Sequence, residues 1–247
     1  MALPVAVIPA RFAAQRFPGK PLALLLGKPM VQHVVERCHE ARCFSRVVVA
    51  TDDERIATEV RRFGTEALLT SPACPSGTDR VAEVARQLSL AADDVVVNVQ
   101  GDEPAMHPES LSVLAQAFSQ PSVQMATLIR PLDEAERANP NVVKVVLGEQ
   151  HQALYFSRFD IPFQRDPAGA AVQRWAHLGL YGYRWHVLDR LSHLEPTALE
   201  RTESLEQLRA LGNGITIACR VTPHAGHAVD RPEDLALAEA ALRRLHP

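Results

Sequence analysis

The sequence has few cysteines, no long apolar segment and no acidic residue near its amino terminus. Its cysteines are Cys38, Cys43, Cys74 and Cys219, and they form no CxxC pair. Such spacing is typical of reduced packing residues in a cytosolic protein, not of a disulfide scaffold or a metal site. The longest stretch without charge, 110–129, contains Ser, Gln and Pro121, so we expect no membrane span. No basic region precedes the first apolar residues, which Pro4 and Pro9 interrupt, so we expect no signal peptide and a cytoplasmic location.

The charge is weakly acidic overall, with a formal net charge of −3 over 247 residues. This balance does not suit a nucleic-acid partner, because binding a phosphate backbone requires a basic surface. The first acidic residue is Glu36, whereas Arg11, Arg16, Lys20 and Lys28 precede it. A cationic segment in an acidic protein indicates a small anionic ligand, although a solvated basic loop explains the same charges.

The first half of the chain alternates short β-branched segments with amphipathic helical segments. Strands are predicted at 5–8, 47–50, 67–70 and 95–99, and helices at 30–41, 53–63, 79–90 and 108–118. Gly64 is placed to end the second helix, and Pro108 suits the first turn of the fourth. This order predicts the α/β class, with a mostly parallel central sheet flanked by helices.

The alternation breaks in the second half. Segments 142–147, 153–157 and 177–183 lie close together, with a hairpin turn at 148–150. They predict a small antiparallel insertion at about 140–195 within a single domain that spans 1–247. Helices at 185–194, 202–211 and 232–245 and a strand at 215–220 complete the prediction.

Residues 9–20, PARFAAQRFPGK, directly follow the first predicted strand. Ligands of parallel sheets bind beyond the carboxyl ends of the strands. A loop there can offer backbone N–H groups to phosphate oxygens, while Arg and Lys neutralise the charge. The segment is not a Walker loop, because Pro21 follows Lys20, and the chain contains no GxGxxG.

Asp102 lies in the segment 98–104, NVQGDEP, at the end of the most apolar predicted strand. An aspartate at this position suits a hard cation such as Mg²⁺, which prefers oxygen ligands. The alternative is a turn aspartate that caps the next helix. Gln100 and Glu103 make the segment unusually polar for the end of a buried strand, which favours the cation site.

Asp230 lies in the segment 229–235, VDRPEDL. Taken alone it is more typical of a helix cap, with Pro232 in the first helical turn. If the segment before it ends at the same sheet edge as the first and fourth predicted strands, Asp102 and Asp230 share one metal beside the cationic loop. Two carboxylates, a metal and several Arg or Lys side chains are what phosphoryl transfer requires.

These segments resemble, in the same order, the motifs of CMP-Kdo synthetases, the 3-deoxy-manno-octulosonate cytidylyltransferases. The matching segments cover nearly the whole chain: PARFAAQRFPGKPL at 9–22, SGTDR at 76–80, VNVQGDEP at 97–104, NPNVVKVVL at 139–147, ALYFSR at 153–158, IPFQRD at 161–166, HLGLYGYR at 177–184, LEQLR at 205–209 and VDRPEDL at 229–235. The resemblance implies the nucleotide-diphospho-sugar transferase type of fold. It also implies that CTP and 3-deoxy-D-manno-octulosonate (Kdo) give CMP-Kdo and diphosphate, for lipopolysaccharide biosynthesis.

The resemblance further implies a direct reaction, in which the C2 hydroxyl of Kdo attacks the α-phosphorus without a covalent enzyme intermediate. The resemblance assigns Arg11, Arg16 and Lys20 to the triphosphate. It assigns the backbone around Ala10, together with the side chains of Gln100 and Arg80, to the cytidine. Its Mg²⁺ ligands are Asp102 and Asp230, and together with Lys20 these form the catalytic set.

On the sugar side, the resemblance implies that Arg158 holds the carboxylate, while His177, Tyr181, Glu206 and Gln207 bind the hydroxyls. Taken alone, His177 is more typical of an ordinary hairpin side chain. Members of this family usually carry Ser-Thr where this sequence has Ala14 and Gln15, so a hydroxyl contact to the nucleotide is absent and weaker CTP binding is expected. The family also implies a homodimer that pairs through the insertion.

Two other functions stay open at this point. A CMP-sialic acid synthetase, or an enzyme for another acidic sugar, shares the reaction class, but the sialic enzymes typically carry Lys at the position of Arg16. A catalytically silent sugar-nucleotide binding protein is a second alternative. The presence of Asp102, Asp230 and Lys20 argues against it.

Overall fold

A computed structural model describes residues 2–13, 16–166, 169 and 172–245. Within these residues, nine strands form one mixed sheet, and seven of them follow the order β11-β7-β10-β6-β1-β4-β5. The strands of the chain are β1 Val5–Ala10, β2 Leu24–Leu25, β3 Lys28–Pro29, β4 Arg46–Thr51, β5 Glu66–Leu69, β6 Val95–Asn98, β7 Met125–Pro131, β8 Lys144–Leu147, β9 Ala153–Ser157, β10 Trp175–Arg184 and β11 Ile217–Val221. β2 and β3 form a separate antiparallel pair.

The central strand β1 explains why the sheet has helices on both faces. Side chains of a strand alternate between faces, and in β1 both sets are buried. Val5 and Val7 belong to one apolar cluster, and Ala6 and Ile8 belong to the other. β1 pairs in parallel with β4 and with β6, so the predicted parallel sheet is confirmed.

The helices are α1 Met30–Ala41, α2 Glu54–Arg62, α3 Gly77–Gln87, α4 Pro108–Gln116, α5 Trp185–Ser192, α6 Ala198–Glu203, α7 Gln207–Gly212 and α8 Leu235–Leu245. Their starts follow ordinary capping chemistry: Asp53 accepts from the Arg55 N–H, and Ser76 accepts from the Asp79 N–H. Gly64, with φ 83°, ends α2 as the sequence predicted. No described helix combines the length and the apolar character that crossing a bilayer needs.

The second half of the chain differs from the prediction in three places. β7 was not predicted, although it lies between β10 and β11 in the main sheet. The predicted helix at 202–211 is two helices, α6 and α7, because the backbone at Ser204 turns into the left-handed region with φ 52°. The predicted strand at 177–183 is part of β10, which pairs antiparallel with both β6 and β7.

The antiparallel hairpin at β8 and β9 is confirmed, with its turn closed by the Gly148 N–H and the Gln152 carbonyl at 2.9 Å. β8 also pairs with the first residues of β10. The predicted insertion at about 140–195 therefore has two parts. The hairpin lies off the main strand order, whereas β10 lies inside the main sheet and α5 packs against α3.

A third, smaller apolar cluster positions the segment that precedes α8. Leu25 of β2 and Met30 of α1 pack there with Val229, Ala238 and Leu242. Val229 is completely buried, which fixes the backbone at the residue next to Asp230. The cluster thereby holds the carboxy-terminal segment against the edge of the sheet where β1 and β6 end.

Candidate active site

Lys20 joins two distant aspartates at the carboxyl ends of β1 and β6. Its Nζ lies 2.9 Å from Asp102 Oδ2 and 3.7 Å from Asp230 Oδ1, and it donates to the Val229 carbonyl at 2.7 Å. The Val229 N–H donates to the Asp102 carbonyl at 2.8 Å, so the two acidic segments are also joined through their backbones. Arg16 adds a contact of 3.1 Å to Asp230. The prediction that Asp102 and Asp230 share one site requires the segments that carry them to lie close together. In the structure these segments do lie close together.

The segment after β6 reaches this position by passing very close to β1. A Cβ at Gly101 would lie 2.5 Å from the Pro9 carbonyl oxygen, so only glycine allows the two backbones to approach in this way. Glu103 then turns back into the protein and is 9% exposed. Burial, with a smaller contribution from Asp102, raises the pKa of Glu103 to about 8, so this carboxyl is largely protonated at neutral pH.

Two cavities meet at Asp102 and Asp230. The first, of about 540 Å³, lies over the loop after β1 and is lined by Arg11, Arg16, Lys20, Arg80 and the backbone of Ala10. The second, of about 580 Å³, lies between β10, the β8–β9 hairpin and α7. Gln100, Asp102 and Asp230 line both cavities. Within the part of the chain that the structure describes, a ligand in one cavity therefore meets a ligand in the other beside these three residues.

The first cavity, which we call the cationic cavity, brings together all the residues predicted for the nucleotide. Arg80 is 3% exposed, and its guanidinium donates to Asp52 at 2.9 Å and to the Thr70 hydroxyl. Because these partners hold Arg80 in the cavity wall, we expect it to shape the wall more than to move toward a ligand. The predicted departure at Ala14 and Gln15 lies outside the residues that the structure describes.

The second cavity, which we call the polar cavity, contains all five residues predicted for the sugar: Arg158, His177, Tyr181, Glu206 and Gln207. Arg158 donates from Nε, Nη1 and Nη2 to the carbonyls of Glu203, Pro140 and Ser204, at 2.7, 3.0 and 3.2 Å. An arginine carries five N–H groups, so one on each Nη nitrogen has no partner among the described residues and is left for a carboxylate. The backbone contacts fix the direction in which the guanidinium points.

His177 is a neutral imidazole at the floor of the polar cavity. Burial lowers its pKa to about 3. Its Nε2 lies 2.9 Å from the Thr127 hydroxyl, which itself donates to the Leu180 carbonyl at 2.7 Å. The hydroxyl therefore accepts from Nε2–H, and Nδ1 of His177 is left as an acceptor.

Three buried polar atoms of the polar cavity lack a partner with hydrogen-bond geometry among the described residues. They are Asn98 Oδ1, Gln207 Nε2 and Tyr181 Oη, although the Thr127 hydroxyl lies near the last of these. A buried donor or acceptor without a partner costs about 1–3 kcal/mol. Such atoms in the wall of a cavity indicate a polar ligand that completes their bonds. Burial also raises the pKa of Glu206.

Several residues that line the polar cavity were not among the predicted site residues. Asn98 ends a strand of otherwise apolar residues, and Arg130 follows the buried residues of β7. Thr78 lies within the SGTDR motif, and Glu103 within NVQGDEP. A polar residue at the end of a buried strand is the signal that would have identified Asn98 and Arg130, but β7 itself was not recognised.

Comparison with known proteins gives one consistent result. The model of the cytidylyltransferase family matches residues 5–217. A 3-deoxy-manno-octulosonate cytidylyltransferase of Myxococcus xanthus is 56% identical over 240 residues, which are 97% of this chain and 96% of that protein. A protein of the same name from Nitratidesulfovibrio vulgaris is 49% identical over 93% of this chain and 92% of its own length.

Solved structures agree with these relatives. A CMP:2-keto-3-deoxy-manno-octonic acid synthetase in complex with CTP superposes with a TM-score of 0.91 at 40% identity, over 98% of this chain and 99% of that one. A glucose-1-phosphate thymidylyltransferase of Bacillus anthracis has a TM-score of 0.66 at 16% identity over 96% of this chain and 94% of that one, which is a likeness of fold alone. The expectation of a nucleotidyltransferase-like α/β fold is confirmed.

Proposed function

The chain belongs to the cytidylyltransferase family and is a nucleotidyltransferase, and from this premise we propose that it transfers the cytidylyl group of CTP to Kdo and releases diphosphate. The observation that carries the proposal is the meeting of the two cavities at Gln100, Asp102 and Asp230. A triphosphate fits the cationic side, an acidic sugar fits the side with Arg158, and the reacting atoms meet between them.

CTP lies in the cationic cavity in this proposal. Arg11, Arg16 and Lys20 bind the triphosphate and neutralise the diphosphate as it leaves. The backbone at Ala10 and the Gln100 side chain face the cytidine, and Arg80 forms the wall behind it. Gln100 donates to the Gly179 carbonyl of β10 at 3.0 Å, so it also connects the nucleotide side to the sugar side.

Kdo lies in the polar cavity, with its carboxylate on the two available N–H groups of Arg158. His177, Tyr181, Glu206 and Gln207 bind its hydroxyls, which would complete the unpaired atoms of this cavity. The C2 hydroxyl oxygen then forms a bond to the α-phosphorus and releases its proton to water, while the bond between the α-phosphorus and the bridging oxygen breaks and diphosphate leaves. Holding both substrates at a fixed junction supplies most of the catalysis, because phosphoryl transfer depends mainly on position and charge.

Mg²⁺ is part of the proposal, with Asp102 and Asp230 as its ligands. The donors at this place are carboxylate oxygens, which Mg²⁺ prefers. A cation is already accommodated there, because the Lys20 ammonium lies within 3.7 Å of both carboxylates. When bound, the ion would polarise the α-phosphate and reduce the repulsion between the triphosphate and the incoming sugar.

A homodimer, a cytoplasmic location and a role in lipopolysaccharide biosynthesis extend the proposal. Support for the dimer comes from large apolar side chains near the hairpin that are open to solvent. Phe163 is 88% exposed, Phe159 78% and Leu154 55%. Exposed apolar groups gathered in one region are typical of an interface between copies of a chain. The free cysteines are compatible with a reducing compartment.

A competition between sugar acids tests the choice of substrate. The purified protein is given CTP, Mg²⁺ and equal amounts of Kdo and N-acetylneuraminate, and the products are identified by mass spectrometry. We expect CMP-Kdo as the dominant product. A CMP-sialic acid product would instead support the alternative that the names of the relatives do not favour.

A further inference from the structure

Two histidines and a glutamate converge on the segments that flank the two aspartates. His107 precedes α4 and Glu109 lies in its first turn, five and seven residues after Asp102. His224 lies between β11 and Asp230. One candidate ligand atom from each of these three side chains lies within 4.8 Å of the other two. We call these three residues the His-Glu-His cluster.

Direct contacts hold the cluster together. The imidazoles of His107 and His224 are stacked, with ring centroids 3.5 Å apart and an angle of 9° between the planes. His224 Nε2 lies 2.9 Å from Glu109 Oε2. Next to the cluster, the buried hydroxyls of Ser110 and Thr222 are hydrogen-bonded at 2.9 Å, which fixes the two segments side by side. The three side chains are therefore presented by a joined framework rather than by two independent loops.

The chemistry of the cluster differs from that of the Asp102–Asp230 pair. Two imidazoles and one carboxylate form a ligand set that zinc sites use, with the fourth position left to water. Mg²⁺ prefers oxygen ligands and competes weakly for imidazole nitrogen.

We propose that His107, Glu109 and His224 form a second metal site, which binds a divalent transition metal of the Zn²⁺ type. The ion would connect the segment that follows Asp102 to the segment that precedes Asp230. Together with the bond between Val229 N–H and the Asp102 carbonyl, it would fix the spacing of the two aspartates. The site is independent of the proposed substrates, because none of its three residues lines either cavity.

Binding the metal changes two hydrogen bonds. When the ion binds His224 through Nε2, the proton that Nε2 shares with Glu109 leaves that nitrogen, and the neutral ring carries its one proton on Nδ1. His107 Nδ1 now accepts from the Glu109 N–H at 3.3 Å, as the cap of α4. A neutral imidazole that binds a metal through Nε2 carries its proton on Nδ1, and one that binds through Nδ1 has no lone pair left there. Either way this long cap bond is lost, which lowers the affinity of the site without blocking it.

The test measures Zn²⁺ affinity by competition with a chromophoric chelator, in an excess of Mg²⁺ that occupies oxygen sites. His107→Asn removes the imidazole and keeps a residue that caps helices well. His224→Gln and Glu109→Gln remove the other two ligands. The matched control is His39→Asn, the same change at an exposed imidazole of α1. We expect one tight Zn²⁺ per chain in the wild type and in the control, and at least about a tenfold weaker affinity in each cluster variant.

The visible spectrum of the Co²⁺-loaded protein supplies a second measurement. Co²⁺ in a four-coordinate site absorbs strongly, and this band should be present in the wild type and lost in the cluster variants. Melting curves without metal show whether a variant is folded, and Glu109→Gln, which leaves the cap residue intact, replaces His107→Asn if that variant unfolds. Failure of the wild type to bind Zn²⁺ at micromolar concentration, or equal affinity in all the variants, would overturn the proposal.

Discussion

At the scale of single residues, the junction of the two cavities depends on opposite charges held close together, and within it the Lys20–Asp102 pair is the part most shielded from water. The side chain of Lys20 is 14% exposed and that of Asp102 is 29% exposed. An ion pair so placed is screened less than a surface pair, and loss of one partner leaves the other uncompensated. Replacing Asp102 therefore alters the electrostatics of the reaction more than the packing.

The first prediction concerns Asp102→Asn, which removes one negative charge without a change in volume. We expect turnover to fall roughly 100-fold or more, as expected when an electrostatic contact worth several kcal/mol is lost from the transition state. The melting temperature should stay within a few degrees of the wild type. Asp93→Asn is the matched control, since the Asp93 side chain is 84% exposed and far from the junction in the fold. Steady-state rates close to the wild type for Asp102→Asn would remove Asp102 from the metal and catalytic set.

The second prediction uses the pKa of His177, which burial lowers to about 3 in the folded protein. The same imidazole titrates near 6.5 in the unfolded chain. Between these two values only the unfolded state binds the proton, so the free energy of unfolding falls as the pH falls below 6.5. At pH 5 this loss amounts to about 2 kcal/mol.

His177→Gln removes that titration and leaves the contributions of other groups, such as Glu103, unchanged. Urea unfolding at pH 7 and pH 5 gives the loss of stability for each protein. We expect the loss in the variant to be smaller by about 2 kcal/mol. The same loss in both proteins would mean that His177 is not kept neutral by burial.

At the scale of elements, the turn after β6 is the part of the fold that the site depends on most. The third prediction is that Gly101→Ala destabilises the protein by about 1–3 kcal/mol, because the added Cβ forces the turn away from the Pro9 carbonyl. Turnover should fall with it, since Asp102 moves with the turn. Gly77→Ala is the control: its Cβ would meet the Pro9 side chain at an ordinary 3.5 Å. Equal stability of the two variants, measured by urea unfolding, would contradict this account of the turn.

The elements that the sequence predicted well are those with a local signal. The alternation of buried strands and amphipathic helices gave β1, β4, β6 and the helices between them, because burial on both faces makes such strands continuously apolar. β7 was not predicted. The stretch 110–129 extends from α4 into β7, and it contains no charged residue or periodic pattern that separates the helix from the strand. The break between α6 and α7 depends on the backbone at Ser204, which composition does not reveal.

The site was predictable as a set of residues but not as a geometry. Every predicted site residue lies in one of the motifs, and every one of them lines a cavity. A resemblance can predict them because it assigns a role to each residue from its place in a motif. Contacts between residues far apart in the sequence were not predictable. Lys20 reaches Val229 across 209 residues, and Gln100 reaches Gly179 across 79. The position of β10 between β6 and β7 makes the second contact possible, and the sequence alone did not place that strand.

At the scale of the whole molecule, the fourth prediction is a homodimer. Light scattering at micromolar concentration should give twice the chain mass of 27.1 kDa. Phe163→Asp should shift the protein toward monomer, because it places a charge in the apolar region around the hairpin. Leu237→Asp, at a side chain of α8 that is 69% exposed, should remain a dimer. A wild-type mass of one chain would contradict the dimer, and an equal effect of both substitutions would move the interface elsewhere.

The two cavities share one junction, so the reaction depends on the presence of both substrates at once. The most direct measurement is diphosphate release from CTP in the presence of Mg²⁺, recorded with and without Kdo. We predict rapid release only when Kdo is present, with one CMP-Kdo formed for each diphosphate and little activity after Mg²⁺ is chelated. Diphosphate release that is independent of Kdo, or no release with both substrates and Mg²⁺ present, would contradict the account.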